Sequence, residues 1–188
     1  APEQLLRAHA ADRYVVLLTL DGVRTQELFG GMDPVIANAP EPESGIYEID
    51  VMKKRYWRDT PEARREALMP FFWKTLVPAG VVYGNQAKGS KATVQNDQWF
   101  SYPGYSEMLT GRPQPEVKSN DLVRYPGNRT ALEYAREALG LKFGEVAQIG
   151  SWDGFKYAAS SRDGAFYMNG GRDTVSPELS TPAIDTYV

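Results

Sequence analysis

The chain has no cysteine and a single histidine, His9. The first lack excludes disulfides, thiolate metal ligands and a cysteine nucleophile. The second leaves too few imidazoles for an ordinary zinc site, which draws on several His or Cys ligands. It also leaves no plausible partner for a serine triad. Aspartates remain able to hold Mg²⁺, Mn²⁺ or Ca²⁺. The chain has no basic excess: its net charge is −3, so no nucleic-acid partner is expected. No apolar run approaches the roughly 18 residues that would predict a membrane span. Glycine-rich phosphate loops of the Walker and G-x-G-x-x-G types are absent, as are internal repeats. The lack of cysteine, together with a start at Ala1-Pro2-Glu3 without Met, suits an exported protein whose leader has been removed. An extracytoplasmic location, periplasmic or secreted, is the expectation.

What is present fits one domain over residues 1–188, with 42% hydrophobic residues to build a core. Residues 1–12 read as a helical lead-in. The continuous β-branched and aliphatic run Tyr14–Leu20 predicts a strand covered on both faces, as in a parallel sheet. Residues 33–50 are rich in proline and read as loop. Thr60-Pro61-Glu62 is a helix start, with Thr60 as cap and Pro61 at the first helical position. That helix is expected to run to Leu76 with a kink near Pro70. Gly80–Gly84 and Ala92–Val94 read as further strands. A helix begins near Ser101 and stops at Gly111, and residues 112–128 form a loop. Thr130-Ala131-Leu132-Glu133 is a capping box opening a helix that ends at Gly140. Strands follow at Val146–Gly150 and Ala165–Met168. This alternation predicts an α/β fold, layered α/β/α around a mainly parallel sheet. No closing element follows Ser176, so the pattern reads as incomplete.

Two positions stand out chemically. Asp21 ends the first apolar run, where ligands gather in parallel sheets, and Gly22 lets the chain turn. Asp-Gly is also a common turn pair, so a purely structural role is the alternative. Ser101 lies where a helix begins, and a helix N-terminus favours anions through its N–H groups and dipole. The alternative is a plain N-cap serine. Ser106, inside the same helix, is a weaker nucleophile. Thr19-Leu20-Asp21-Gly22-Val23 approaches the D-x-D-G-[TV] signature of haloacid-dehalogenase-like phosphatases, but Thr19 stands where the nucleophilic Asp is needed. Asn128-Arg129-Thr130 is a glycosylation sequon. The aromatic clusters Tyr56-Trp57, Phe71-Phe72-Trp73 and Trp99-Phe100 are expected in the core, and Arg64-Arg65 on a solvated helix face.

Leu20-Asp21-Gly22 followed by Ser101-Tyr102-Pro103 and Thr110-Gly111 resembles the alkaline phosphatase superfamily of metallohydrolases. The likeness extends over about residues 14–155. It implies an alkaline-phosphatase-like fold and a metal-dependent hydrolase of phosphate, sulfate or phosphonate esters. It implies Ser101 as nucleophile and metal ligand, and Asp21 as metal ligand. Asn120 and Tyr102 are implied to bind substrate, and two divalent ions, zinc or manganese, to be the cofactors. The partner would be a small-molecule phosphate or sulfate ester. Tyr105 occupies the Arg position of C/S-x-P-x-R, which argues against a formylglycine sulfatase.

The resemblance also carries a deficit. The family's later ligands, Asp and His residues beyond the nucleophile, have no counterpart after Ser101. Asp153, Asp173 and Asp121 stand without histidine companions. The chain is therefore expected to be the N-terminal portion of one catalytic domain. It would associate with the remaining C-terminal part or with another copy of itself. The competing expectation is a catalytically silent truncated domain that binds an anion or a partner.

Overall fold

The computed structural model describes residues 14–40 and 48–175. The expected lead-in helix at 1–12 with His9, and the segment from Ser176 onward, lie outside the described residues. The chain divides into two compact units, Leu18–Thr93 and a second one that includes residues 14–17 and 94–175.

The Leu18–Thr93 unit is helical. It contains α1 (Thr25–Gly30), α2 (Pro34–Asn38), α3 (Ile49–Tyr56), α4 (Pro61–Leu68) and the short α5 (Val77–Ala79), reached through a π-helical turn at Phe72–Leu76. Thr60 caps α4 as expected, accepting from the Ala63 N–H at 3.2 Å. The helical path beyond breaks at Met69-Pro70 and resumes, which matches the expected kink. The expected loop over 33–50 is partly helical. Asp33 accepts from the Val35 N–H at 2.8 Å and Pro34 takes the first helical position, so the residues read as breakers instead start α2.

α1 packs on α4 at close range. A Cβ at Gly31 would meet the Arg64 carbonyl carbon at 2.2 Å, and its φ is +71°, so only glycine fits. Arg64 is not on a solvated face. It is 7% exposed, donates to the carbonyls of Gly30, Arg58 and Asp59, and lies over the Trp57 ring. Arg65 lies over Trp73, whose indole N–H donates to the Leu28 carbonyl at 3.1 Å. The two arginines thus fasten α4 to its surroundings.

The second unit holds α6 (Ser101–Thr110), α7 (Ala131–Leu139), α8 (Gly154–Ala158) and two strands, β1 (Ala147–Ile149) and β2 (Tyr167–Asn169). The strands pair in parallel with Gln148 opposite Met168, and α8 lies in the connection between them. The sequence pattern predicts both strands and a mainly parallel sheet but no helix between them, so α8 is an addition from the structure. Its core comprises Tyr102, Val117, Val146, Ala158, Ala159, Ala165 and Phe166. The Thr130 capping box is formed, and Gly140 closes α7 in the left-handed conformation.

The mixed helix and strand class and the parallel pairing agree with the sequence. Three expected strands do not form. Tyr14–Leu20, Gly80–Gly84 and Ala92–Val94 run without a ladder partner among the described residues. Their apolar side chains face outward, with Val15 93% and Val81 76% exposed. A strand is defined by the neighbour that takes its N–H and C=O groups. An apolar run marks a wish for burial but cannot supply that neighbour. β1 itself leaves Ile149 exposed, so the small sheet is not covered on both faces. Trp99, expected in the core, is 96% exposed. No helix among the described residues is long and apolar enough to cross a membrane.

Candidate functional site

Ser101 is the first residue of α6, and Phe100, in extended conformation, is the cap. The structural alternative of an N-cap serine therefore does not describe it. Ser101 is half-buried. Behind it the helix buries Tyr102, Pro103, Ser106 and Glu107. Gly111, in the left-handed conformation, ends the helix and returns an N–H to the Glu107 carbonyl at 2.8 Å.

The donors of this helix start are spoken for in a definite way. The Tyr102 N–H donates to Asn120 Oδ1 at 3.0 Å. Pro103 has no N–H. The Gly104 N–H reaches the Phe100 carbonyl at 3.4 Å. The helix N-terminus is thus not an open row of N–H groups. Asn120 covers its first turn, and with Oδ1 committed to Tyr102 its amide nitrogen is the donor it can offer an anion. Asn120 is exposed. Sequence reasoning paired it with Ser101 across a loop, and the structure places it against the residue next to Ser101. Beside it, the Ser119 hydroxyl is bound to Asp121.

Tyr102 is a core residue, 2% exposed. Its hydroxyl donates to the Val123 carbonyl at 2.6 Å, and burial pushes its pKa up to about 12. Its backbone, not its phenol, faces Asn120.

Glu107 escaped the sequence reading. It is 9% exposed and accepts from the N–H of Gln95 at 2.6 Å, the N–H of Asn96 at 2.9 Å and the Asn96 side-chain amide at 2.7 Å. Burial acts to raise its pKa, but the three donors outweigh that and hold the carboxyl below the usual carboxylate range. A carboxylate near a helix C-terminus works against the dipole, which is the one sequence signal that marks it as unusual.

Asp21 lies in the other unit, in an exposed Asp21-Gly22 turn with Gly22 at φ +76°. At the carboxyl ends of β1 and β2, Asp153 and Asp173 meet through a lysine that the sequence reading passed over. Lys156 Nζ lies 2.8 Å from Asp153 Oδ1 and 3.0 Å from both oxygens of Asp173. Asp173 also accepts from the Gly170 N–H at 2.8 Å. That bond and Lys156 lower its pKa, and the two carboxylates raise that of Lys156. Two carboxylates thus share one lysine, which already occupies the place between them that a cation would take.

Among the described residues no group of three or more His, Asp or Glu side chains is placed to hold a metal ion. The expected divalent ions therefore do not fit the described residues by themselves. Asn128, the sequon residue, is buried and so is poorly placed for glycosylation. Set against known proteins, the chain matches no family model, no curated protein and no solved structure.

Proposed function

We propose that this chain carries the nucleophile of an alkaline-phosphatase-like hydrolase of phosphate esters, or of related sulfate or phosphonate esters. The observation that supports this best is the hydrogen bond from the Tyr102 N–H to Asn120 Oδ1. It holds the amide that would bind a non-bridging oxygen at the first turn of the helix that Ser101 opens. The Ser101 oxygen attacks phosphorus, and the new O–P bond replaces the ester P–O bond. The alcohol leaves with the serine proton. Water then cleaves the phosphoserine, restoring the hydroxyl and releasing phosphate. The Asn120 amide and the dipole of α6 stabilise the charge that gathers on the transferred group.

The layered α/β/α fold, the extracytoplasmic location and the two divalent ions, zinc or manganese, belong to the same proposal. Asp21 and Ser101 are the residues of this chain assigned to metal. The other ligands are not among the described residues, and no step is assigned to a metal.

A second reading is favoured by the exposed run Tyr14–Leu20. In it the chain is catalytically silent and its apolar segments receive a partner. The deciding experiment measures turnover of aryl phosphate, phosphodiester and sulfate substrates with zinc or manganese added. This chain alone is expected to be inactive, so the parent is the chain together with the C-terminal part that supplies the remaining metal ligands, and it is compared with its Ser101→Ala variant. The hydrolase reading expects turnover that falls ~1000-fold or more on Ser101→Ala. Turnover that survives the substitution overturns the nucleophile assignment. No turnover by the parent with either metal leaves the silent reading.

A further inference from the structure

We propose that Glu107 is a positioning residue for Ser101, clamping the segment that delivers the chain into α6; this rests on the reading of Ser101 as nucleophile. The carboxylate rises from the last turns of α6 and takes hold of the chain at Gln95 and Asn96. Asn96 extends the hold, because its Oδ1 accepts from the Gln98 N–H at 3.0 Å. Residues 95–98 are thereby fixed to the body of the helix they are about to enter. Only Trp99 and Phe100 then separate this anchored stretch from Ser101. The path of so short a connection sets the angle at which Phe100 caps the helix, and hence where the Ser101 hydroxyl points.

The placement carries a cost that packing does not explain. An acidic side chain in the final turns opposes the helix dipole, and a buried carboxylate needs nearly all its lone pairs satisfied. The carboxylate accepts from two main-chain N–H groups of an otherwise irregular segment and ties it to the helix.

The chain has no cysteine, so Ser101→Cys introduces a lone thiol at the site and reports on it without substrate or metal. Its alkylation by iodoacetamide is followed against pH. At the start of α6 the thiol should titrate about one unit or more below the ordinary value of about 8.5. Adding Glu107→Gln should return it toward that value and slow alkylation at pH 7 about 3-fold or more. The sign is diagnostic. Removing a negative charge, with nothing moved, would lower the thiol pKa, whereas a misplaced helix entry raises it. Amide exchange at Gln95 and Asn96 should quicken in parallel.

Should Glu107→Gln fail to fold, Asn96→Ala removes one donor and keeps the carboxylate, and should shift the thiol the same way by less. A thiol pKa that is unchanged or lowered in a folded variant overturns the proposal while leaving Ser101 in place. An ordinary pKa with Glu107 intact sinks the Ser101 reading and this proposal with it.

Discussion

The two units of this chain handle buried charge in opposite ways. In the unit holding residues 94–175, Glu133 is 2% exposed and ringed by donors: the N–H of Thr130, the N–H of Ser161 and the Ser161 hydroxyl. In Leu18–Thr93, Arg64 is the buried ion among the described residues, and it spends its donors on three backbone carbonyls. The apolar accounts differ as well. Among the described residues, only Met32 and Ala37 of the buried apolar set fall in Leu18–Thr93, whereas the other unit buries Tyr102 and Phe166 almost completely. One unit has a core that polar groups lock. The other is laced together by arginines and rings around little interior. With less burial, a polar group freed in the second kind of structure lies nearer water and costs less to leave unpaired.

The hardest test of that contrast is Glu133→Ala. It removes the capping box of α7 and leaves the Ser161 N–H and hydroxyl without an acceptor in a buried place. The expected loss is about 3–5 kcal/mol, a large part of the stability of any small domain. Urea unfolding and amide exchange in residues 130–168 read it. A loss under about 1 kcal/mol would mean that water replaces the carboxylate and that the locked core is an illusion.

Arg64→Ala comes next. It frees three carbonyls and the Trp57 face at the α1–α4 contact. Those carbonyls lie nearer solvent than the donors around Glu133, so about 2 kcal/mol is expected. Exchange in residues 25–31 and 58–68 should rise. If Arg64→Ala costs more than Glu133→Ala, the ranking of the two units is reversed.

A smaller effect separates them by pH. Glu107 and Asp173, both in the second unit, have folded pKa values below their ordinary ones. Groups of this kind add stability above the unfolded carboxyl pKa of about 4 and lose it as pH falls through the folded value. Stability of that unit should be level from neutral pH down to about 5 and then decline, and Glu107→Gln should flatten the decline. Among the described residues Leu18–Thr93 holds one such group, Glu27, whose carboxyl the Arg24 guanidinium holds below the usual range, against two in the second unit, so it should change less. Chemical denaturation at stepped pH, read by exchange in each unit, is the check.

What the sequence disclosed follows the same division. Thr60, Thr130, Gly111 and Gly140 announced helix ends because caps are local chemistry, settled within four residues. The strands β1 and β2 were visible as short apolar runs, whereas the helix α8 between them was not. The runs Tyr14–Leu20 and Gly80–Gly84 misled, since strand formation depends on a neighbour that no local pattern encodes. At the candidate site the helix end was legible from Gly111, and Ser101 stood out through the Ser101-Tyr102-Pro103 motif it opens. The Tyr102–Asn120 bond was approached only through the motif spacing. The Glu107 clamp was hidden, because a buried acid looks in sequence like any surface glutamate. Arg64 was hidden for the same reason.

The smallest expected effect bears on the run that misled. Leu18 is 76% exposed. In the structure as it stands, Leu18→Lys should change stability by no more than about 0.5 kcal/mol. A strand buried in a covered parallel sheet would instead lose about 3 kcal/mol or more to an unpaired internal charge. The same substitution has a second consequence that does not depend on folding. An extended apolar run without a ladder invites pairing with another chain, and a lysine is the usual way to blunt it. Sedimentation over a range of concentrations should therefore show weaker self-association for Leu18→Lys than for the parent. A large loss of stability in a chain that stays monomeric would mean that residues 14–20 are covered in solution, and the contrast between the two units would then have to be redrawn around a buried first strand.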